Sequence, residues 1–340
     1  MTRPARSALV LQGGGALGAF EFGAARALYE QNLTPDVIAG VSIGAITAVL
    51  LARPVRTLGP LGALEAFWKR VTVPGNLFPP PLRKYASYFG NPNFFTLRSD
   101  FLSWPLAGFS WTHFYETQAL RDTLKELVNL DTLKQPDADP LLLVSATDVK
   151  EGEIKYFDSR NGELSLDHII ASASLPPAFP MTAIGKESYW DGGLFDNTPL
   201  GAVLDRLDPA TDVKRSIYVV NLFPNKGPIP DNMLGVAERM KNLQFANKTL
   251  EDLKLLRRFN EVAELMEALQ TLPAAHPLRQ HRAYKAVKTC GYVRVTRIVS
   301  ITAPGPAPEL GDADFTPETM KTRERQGHAE ALKALGATPR

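Results

Sequence analysis

Residues 7–52 read SALVLQGGGALGAFEFGAARALYEQNLTPDVIAGVSIGAITAVLLA, and the fold class follows from them. Short apolar runs, typical of buried strands, alternate with segments whose apolar residues recur at helical spacing. Glycine clusters at 13–18 and 40–44 separate the two kinds of segment. The order predicts strand, loop, helix, strand, turn and helix. This pattern favours an α/β fold with a parallel sheet that carries helices on its faces.

The whole chain has a balanced composition. Of its 340 residues, 44% are hydrophobic and 22% are charged, which provides a large core and excludes disorder, collagen and coiled coil. The net charge of +2 is too small for the positive field that nucleic-acid binding uses, so we expect no nucleic-acid partner. The single cysteine, Cys290, excludes an internal disulfide and fits a cytoplasmic location. Apolar runs are too short for a membrane span or a signal peptide.

The glycine cluster Gly13–Gly18 matches the G-x-G-x-x-G pattern of dinucleotide-binding loops. That class also needs an acidic residue at the end of the second strand, whereas Asp36 lies at its beginning. No lysine followed by serine or threonine comes after the cluster, so a P-loop is not indicated. A glycine loop that opens a helix can instead present backbone N–H groups to an oxyanion.

The segment Gly40-Val-Ser-Ile-Gly44 has the G-x-S-x-G form of a nucleophile elbow. It directly follows one predicted strand and precedes a predicted helix, as an elbow requires. Ser42 would then stand at the carboxyl edge of the sheet, on the strand next to the glycine loop. A structural turn with a passive serine is the alternative interpretation.

A nucleophilic serine needs a base, and the usual choice is histidine. None of the five histidines follows a predicted strand end, so we predict that they are surface or capping residues. Asp191, within Tyr189-Trp-Asp-Gly-Gly-Leu-Phe195, is the better candidate because apolar neighbours can desolvate its carboxylate and raise its basicity. The alternative is a simple turn aspartate. The histidines are His113, His168, His276, His281 and His328.

Four motifs in this order resemble the patatin-like phospholipase family. They are the glycine loop 13–18, the elbow 40–44, Ala171-Ser-Ala-Ser-Leu-Pro176 and Asp191-Gly-Gly193, and the resemblance covers residues 7–205. It implies a patatin-like three-layer α/β/α hydrolase with a mostly parallel central sheet. A predicted hairpin that joins Leu141–Ser145 to Glu153–Phe157 makes the sheet mixed.

The resemblance also implies roles for single residues. Ser42 would be the nucleophile and Asp191 the general base of a two-residue dyad, without a cofactor or a metal. Ser172 matches a supporting motif, although a plain helix end followed by a turn explains it equally well. The family often has arginine or lysine where this chain has Leu17, which leaves a cationic contribution open. The implied oxyanion hole comprises Gly13, Gly14, Gly15 and Ala16, and the implied supporting residues are Gly40, Gly44, Gly192 and Ser172.

We predict a catalytic domain at residues 1–225 and a mainly helical extension at 226–340. The extension resembles one found on some bacterial patatin-like proteins, and we expect its polar helices to present a solvated face rather than a partner-binding one. Within the domain, residues 72–115 form an insertion rich in proline and aromatic residues. Its rings either pack the loop onto the domain or form a lid that offers apolar surface to lipid. Further predicted elements are a helical region at 232–270, a strand at 292–302 and a last helix from Pro317.

The expected activity is that of a serine lipid acyl hydrolase of the phospholipase A, lysophospholipase or esterase type. Its substrate would be a phospholipid or another acyl ester, and peripheral membrane contact is a hypothesis that rests on the insertion. The alternatives are an acyltransferase or thioesterase that uses the same site and a non-catalytic scaffold that binds lipid or protein. The sequence predicts neither the head group nor the oligomeric state.

Overall fold

The computed structural model describes residues 5–73, 89–103, 110–162, 164–208, 213–290, 294–305 and 311–337. Within these ranges, eight strands form one mixed sheet and two short strands form a separate ribbon. The ribbon consists of β3 (Thr96–Leu97) and β4 (Tyr115–Glu116). The sheet consists of β1 (Ser7–Leu11), β2 (Val37–Gly40), β5 (Leu141–Asp148), β6 (Glu153–Asp158), β7 (Thr182–Ile184), β8 (Glu187–Asp191), β9 (Ser216–Asn221) and β10 (Arg297–Thr302).

The strand order is β10-β9-β1-β2-β5-β8-β7, with β6 paired to β5. The five strands from β10 to β5 are parallel to their neighbours, so the sheet is mostly parallel. Strand β6 pairs with β5 in antiparallel fashion, as expected from the predicted hairpin. Strands β7 and β8 add two further antiparallel pairings.

One edge of β5 serves two partners, and this arrangement positions the candidate site. Its first half, Leu141–Val144, pairs with β2, and Ala146–Asp148 then pair with the end of β8. Strand β6 pairs along Leu143–Asp148, so it takes the other edge. Asp191, the last residue of β8, pairs with Ala146 and therefore lies just beyond the end of β2.

Helices cover both faces of the sheet. The alternating residues of β1 show the division. Leu9 belongs to a core with Phe20 and Leu332, whereas Val10 belongs to a core with Leu200 and Leu256. The architecture is therefore a three-layer α/β/α fold. The helices are α1 (Ala19–Glu30), α2 (Ile43–Ala52), α3 (Gly59–Val71), α4 (Gln118–Leu127), α5 (Leu130–Leu133), α6 (Leu166–Ser172), α7 (Leu200–Leu204), α8 (Met233–Gln270), α9 (Pro277–Gln280), α10 (Arg282–Cys290) and α11 (Pro317–Leu335).

The chain beyond residue 225 builds on the sheet. Strand β10 extends it at β9, within the range predicted for a strand, and α11 begins at Pro317 as predicted. The helical region predicted at 232–270 is the 38-residue helix α8. The proposed domain boundary at residue 225 stays a prediction. Within the described ranges, every helix is too short or too polar to cross a lipid bilayer.

The predicted insertion is described only in part, because residues 74–88 and 104–109 lie outside the described ranges. Phe94 and Phe95 are buried, and the ring of Phe94 lies 5.5 Å from that of Phe315 and 6.1 Å from that of Phe67. Other apolar side chains of the segment face solvent, with Phe89 69% and Leu102 95% exposed. The described part therefore contains both buried rings and exposed apolar surface.

Helices α1 and α11 cross at two glycines whose backbones touch the opposite helix. A Cβ on Gly327 would collide with the carbonyl oxygen of Phe20, and one on Gly23 with that of Glu324. An ion pair between Arg26 and Glu324 and a hydrogen bond between His328 and Glu30 flank the crossing. The close approach requires that both positions lack a side chain.

We expect Gly327→Ala to lower the free energy of unfolding by about 2 kcal/mol or more, because the added methyl group must push the helices apart. Gly201→Ala is the matched control, since Gly201 lies in α7 with no atom within 4 Å of an added Cβ. The control should be neutral or stabilise by up to about 1 kcal/mol. Urea unfolding measures both values, and equal stability of the two variants would contradict the crossing geometry.

Candidate active site

Ser42 occupies the sharp turn between β2 and α2. Its backbone has φ 56° and ψ −124°, a strained conformation for a residue with a side chain. Neither flanking glycine has room for a side chain. A Cβ on Gly40 would collide with the backbone of Gly44. A Cβ on Gly44 would lie 2.5 Å from the carbonyl oxygen of Leu11. This is the geometry of a nucleophile elbow.

Ser172, at the end of α6, contacts the elbow directly. The backbone N–H of Ser42 donates a hydrogen bond of 3.1 Å to the Ser172 hydroxyl oxygen. Ser172 itself is fully buried, so this bond holds the turn from the side opposite to solvent. The predicted supporting residue thus contacts the predicted nucleophile.

Asp191 is buried at the end of β8, and its backbone is fixed on both sides. Its N–H donates to the Ser174 carbonyl oxygen at 3.0 Å, and its own carbonyl accepts from the Thr147 hydroxyl at 2.9 Å. Its Oδ1 accepts a 2.7 Å bond from the Gly193 N–H. The adjacent Gly192 leaves no room for a side chain, since a Cβ there would lie 2.6 Å from the Ser145 carbonyl oxygen.

The second carboxylate oxygen of Asp191, Oδ2, is buried without a hydrogen-bond partner among the described residues. Burial raises the pKa of Asp191 from 3.8 to about 7, against smaller lowering effects of the Ser42 hydroxyl and the Gly193 N–H. The Ser42 hydroxyl is therefore close enough to influence the carboxylate, although the two do not form a regular hydrogen bond. Asp191 therefore combines raised basicity with a carboxylate oxygen that has no partner among the described residues.

The glycine loop leads from β1 into a 3-10 helix, Gly15–Gly18, that precedes α1. Gly14 and Gly15 line a cavity, and their N–H groups have no acceptor in the part of the chain that the structure describes. The N–H of Gly13 is engaged, because it donates to Asn197 Oδ1 at 3.0 Å. Ala16 is buried beside the loop and does not line the cavity.

The cavity has a volume of about 260 Å³, and both Ser42 and Asp191 line it. Most of its wall is apolar, and aromatic rings of the insertion contribute to it. Backbone contacts tie the insertion to the rim, since the Tyr115 N–H donates to the Ala178 carbonyl oxygen at 2.9 Å. The aromatic residues that line the cavity are Phe94, Phe95, Tyr115, Phe179, Phe223, Phe245 and Phe315.

Residues far along the chain complete the cavity wall, and no pattern in the sequence indicates them. Lys241 of α8 forms ion pairs with Glu238 at 2.8 Å and with Asp312 at 2.9 Å. Both Lys241 and Asp312 line the cavity. The extension therefore contributes to the cavity wall as well as to the solvated surface. Leu17, which stands where the family often has arginine or lysine, is buried in the hydrophobic core.

All five histidines lie within the described ranges, and none of them lines this cavity. His168 caps α6 through Ser165, and His276 caps α9. His113 pairs with Glu116. Among the described residues, no group of three or more His, Cys, Asp or Glu side chains could hold a metal ion. Ser42 and Asp191 are therefore the candidate nucleophile and base that line this cavity.

Comparison with known proteins identifies related sequences. The model of the patatin-like phospholipase family matches residues 9–204. A patatin-like phospholipase domain-containing protein of Pyricularia oryzae strain 70-15 is 49% identical over 47 residues, and a protein of strain Y34 matches equally. The match spans 14% of this chain and only 6% of the length of each fungal protein.

Solved structures also resemble the chain at low identity. VipD from Legionella pneumophila is 16% identical with a TM-score of 0.44, covering 98% of this chain and 67% of VipD. ExoU, in its complex with SpcU from Pseudomonas aeruginosa, is 16% identical with a TM-score of 0.38, covering 98% of this chain and 52% of ExoU. Because the family model spans more than half of the chain, from β1 to α7, this protein belongs to the patatin-like phospholipase family.

Proposed function

We propose that the protein is a serine lipid acyl hydrolase, of the phospholipase A, lysophospholipase or esterase type. One observation carries the proposal: Ser42, on a strained elbow, shares an apolar cavity with the buried Asp191, whose Oδ2 has no partner among the described residues. Membership of the patatin-like phospholipase family supports the reaction class. The dyad, the ester specificity and the substrate are parts of this proposal.

In the acylation step, Asp191 Oδ2 takes the hydroxyl proton of Ser42 while Oγ attacks the ester carbonyl carbon. The carbonyl oxygen becomes an oxyanion and accepts hydrogen bonds from the free N–H groups of Gly14 and Gly15. The positive end of the α2 dipole, which begins at Ile43, adds favourable charge. Collapse of the tetrahedral intermediate breaks the ester bond, and Asp191 gives its proton to the leaving alcohol.

In the deacylation step, Asp191 removes a proton from water, and the resulting hydroxide attacks the acyl-Ser42 carbonyl. The fatty acid then leaves, and the proton returns to Ser42. An aspartate with its usual pKa near 3.9 would be a feeble base for either proton. The burial that raises the pKa of Asp191 to about 7 brings it into the range where a general base works at neutral pH.

The lining of the cavity supports an acyl chain as the bound group. Seven aromatic residues line the cavity together with Ser42, and the transfer of hydrocarbon from water to such a wall is favourable. We propose a phospholipid or another acyl ester as the substrate. An acyltransferase would use the same acyl-enzyme with an acceptor other than water, and a scaffold would bind lipid without turnover.

We also propose peripheral contact with a membrane. Leu175 lines the cavity and is partly exposed, and Phe195, just after the Asp191 turn, is half exposed. Phe89 and Leu102 of the insertion are more exposed still. Apolar side chains of this kind near a lipid-binding cavity can enter the interfacial layer of a bilayer.

A fluorophosphonate probe should label Ser42 in the purified protein, as shown by peptide mass spectrometry. Ser42→Ala should lower the hydrolysis rate of a medium-chain nitrophenyl ester by about 10³-fold or more, and Asp191→Asn by about 10² to 10⁴-fold. The acid limb of kcat/KM should lie near pH 7, where Asp191 loses its proton. Ser300→Ala, on the edge strand β10, is the control for serine removal.

If the probe leaves Ser42 unlabelled and no ester is hydrolysed, while lipid still binds, the result would favour a non-catalytic lipid-binding scaffold over a hydrolase. Acyl release that accelerates on addition of an alcohol or a thiol would instead indicate acyl transfer.

The raised pKa of Asp191 also predicts a pH-dependent effect on stability. Between about pH 4 and 7 the folded state binds more protons at this carboxyl than the unfolded state, so its contribution to stability decreases as the pH rises. Asp191→Asn removes the buried charge. We expect the variant to gain on the order of a few kcal/mol relative to the wild type at pH 8, with the difference shrinking toward pH 4. Urea unfolding across this pH range measures it, and a constant difference would contradict the raised pKa.

Wild-type protein should sediment with phospholipid vesicles. Because each buried leucine or phenylalanine side chain contributes about 1.5–3 kcal/mol, the double change Phe89→Ser and Leu102→Ser should weaken binding at least about 10-fold. Leu278→Ser, at another exposed leucine on α9, is the matched control. Equal sedimentation of all three proteins, or none by the wild type, would exclude this contact.

A further inference from the structure

The side chain of Asn197 forms hydrogen bonds with both backbone polar groups of Gly13. The Gly13 N–H donates to Asn197 Oδ1 at 3.0 Å, and Asn197 Nδ2 donates to the Gly13 carbonyl oxygen at 3.1 Å. Only one orientation of the carboxamide satisfies both bonds. Asn197 is 4% exposed and lies 184 residues along the chain from Gly13. We call this pair of bonds the Asn197 clamp.

Hydrogen bonds connect the segment before Asn197 to the turn that carries Asp191. The Asp196 N–H donates to the Gly192 carbonyl oxygen at 2.9 Å, and the Gly193 N–H binds the Asp191 carboxylate. Thr198, which follows Asn197, accepts a 2.8 Å hydrogen bond from Nε2 of Gln12, the residue before the glycine loop. The turn that carries Asp191 is thus fastened to the loop across the sheet edge.

The Gly13 end of the clamp lies against Ser42. A Cβ on Gly13 would come within 2.8 Å of the Ser42 Cβ and 2.5 Å of Asn197 Oδ1, so the glycine backbone fits between these two side chains. Gly14 and Gly15, which follow directly, carry the N–H groups without an acceptor among the described residues. Movement of Gly13 would therefore shift the free amides relative to the serine.

We propose that Asn197 is a positioning residue that sets the distance between the oxyanion-binding amides and the Ser42–Asp191 pair. The inference rests on the proposed hydrolase function. Its clamp occupies the Gly13 N–H, so the oxyanion hole consists of the Gly14 and Gly15 amides. Asn197 also lines the cavity, but both hydrogen bonds of the clamp go to the loop, and the proposed effect on the reaction passes through the loop backbone.

The chain contains a matched control for the same interaction. Asn260 of α8 clamps Val295 in the same way, with a 2.8 Å bond to its carbonyl oxygen and a 2.9 Å bond from its N–H. Neither residue lines the cavity. Asn260→Ala removes two equivalent hydrogen bonds without touching the glycine loop, so it reports the structural cost alone.

We expect Asn197→Ala to lower kcat for a nitrophenyl ester by about 10²-fold, with KM changed by less than about threefold, because misplaced oxyanion donors weaken transition-state binding. Asn260→Ala should leave kcat within about twofold. Both enzymes are compared at a temperature where circular dichroism shows each to be folded. A fall in kcat for Asn197→Ala no larger than that for Asn260→Ala would overturn the proposal.

Asn197→Asp covers the case in which the alanine variant does not fold. Its carboxylate can accept from the Gly13 N–H but cannot donate to the Gly13 carbonyl, so kcat should fall by about 10-fold or more. The added negative charge near Asp191 should also shift the acid limb of the pH profile to higher pH. An unchanged kcat with an unchanged limb would count against the proposal.

Hydrogen–deuterium exchange separates this inference from the proposed function, because it needs no turnover. The peptide that covers residues 9–18 should exchange faster in Asn197→Ala than in the wild type and in Asn260→Ala. If the wild type is inactive and Ser42 is unlabelled but this peptide is deprotected, the hydrolase proposal fails while the clamp stands. Unchanged exchange in Asn197→Ala would overturn the clamp itself.

Discussion

The edge of β5 that β2 and β8 share is the constraint on which the site depends. Gly40, at the end of β2, pairs with Val144, and Asp191 pairs with Ala146 on the same edge. The two pairings are two residues apart, about 7 Å along the strand. Backbone hydrogen bonds of the central sheet therefore bring the serine turn and the aspartate together. Loops only complete the arrangement that the strands impose.

The site carries two local costs that the rest of the molecule must offset. Ser42 has a backbone conformation that a residue with a side chain rarely adopts, and Asp191 keeps a carboxylate oxygen buried without a hydrogen-bond partner among the described residues. Both features are unfavourable for folding, and they suit the nucleophile and base roles that we propose for these residues. They lie at the central strands of a sheet that carries a hydrophobic core on each face, so the surrounding packing can hold them in place.

The parts of the site that follow from local sequence are those whose partners are close in the chain. The elbow could be predicted because its strand, serine, glycines and helix are contiguous, and Asp191 because its turn and apolar neighbours are adjacent. The contact of Asn197 with Gly13 spans 184 residues and has no local pattern. For the same reason, the sequence could not distinguish the engaged N–H of Gly13 from the free N–H groups beside it. Family resemblance supplied the order of the motifs but not these contacts.

The extension shows how far a cavity can depend on chain outside the matched family region. Phe223, Phe245 and Phe315 come after residue 204, yet they line the same cavity as Ser42. The backbone oxygen of Asp312 would lie 2.5 Å from a Cβ on Gly15, so the extension also packs against the glycine loop. The segments between β1 and β8 hold Ser42 and Asp191, whereas the later segments supply three of the seven aromatic residues in the cavity wall. For the acyl ester that we propose as substrate, the extension therefore contributes to the shape of the space around the acyl chain and not to the proposed reacting groups.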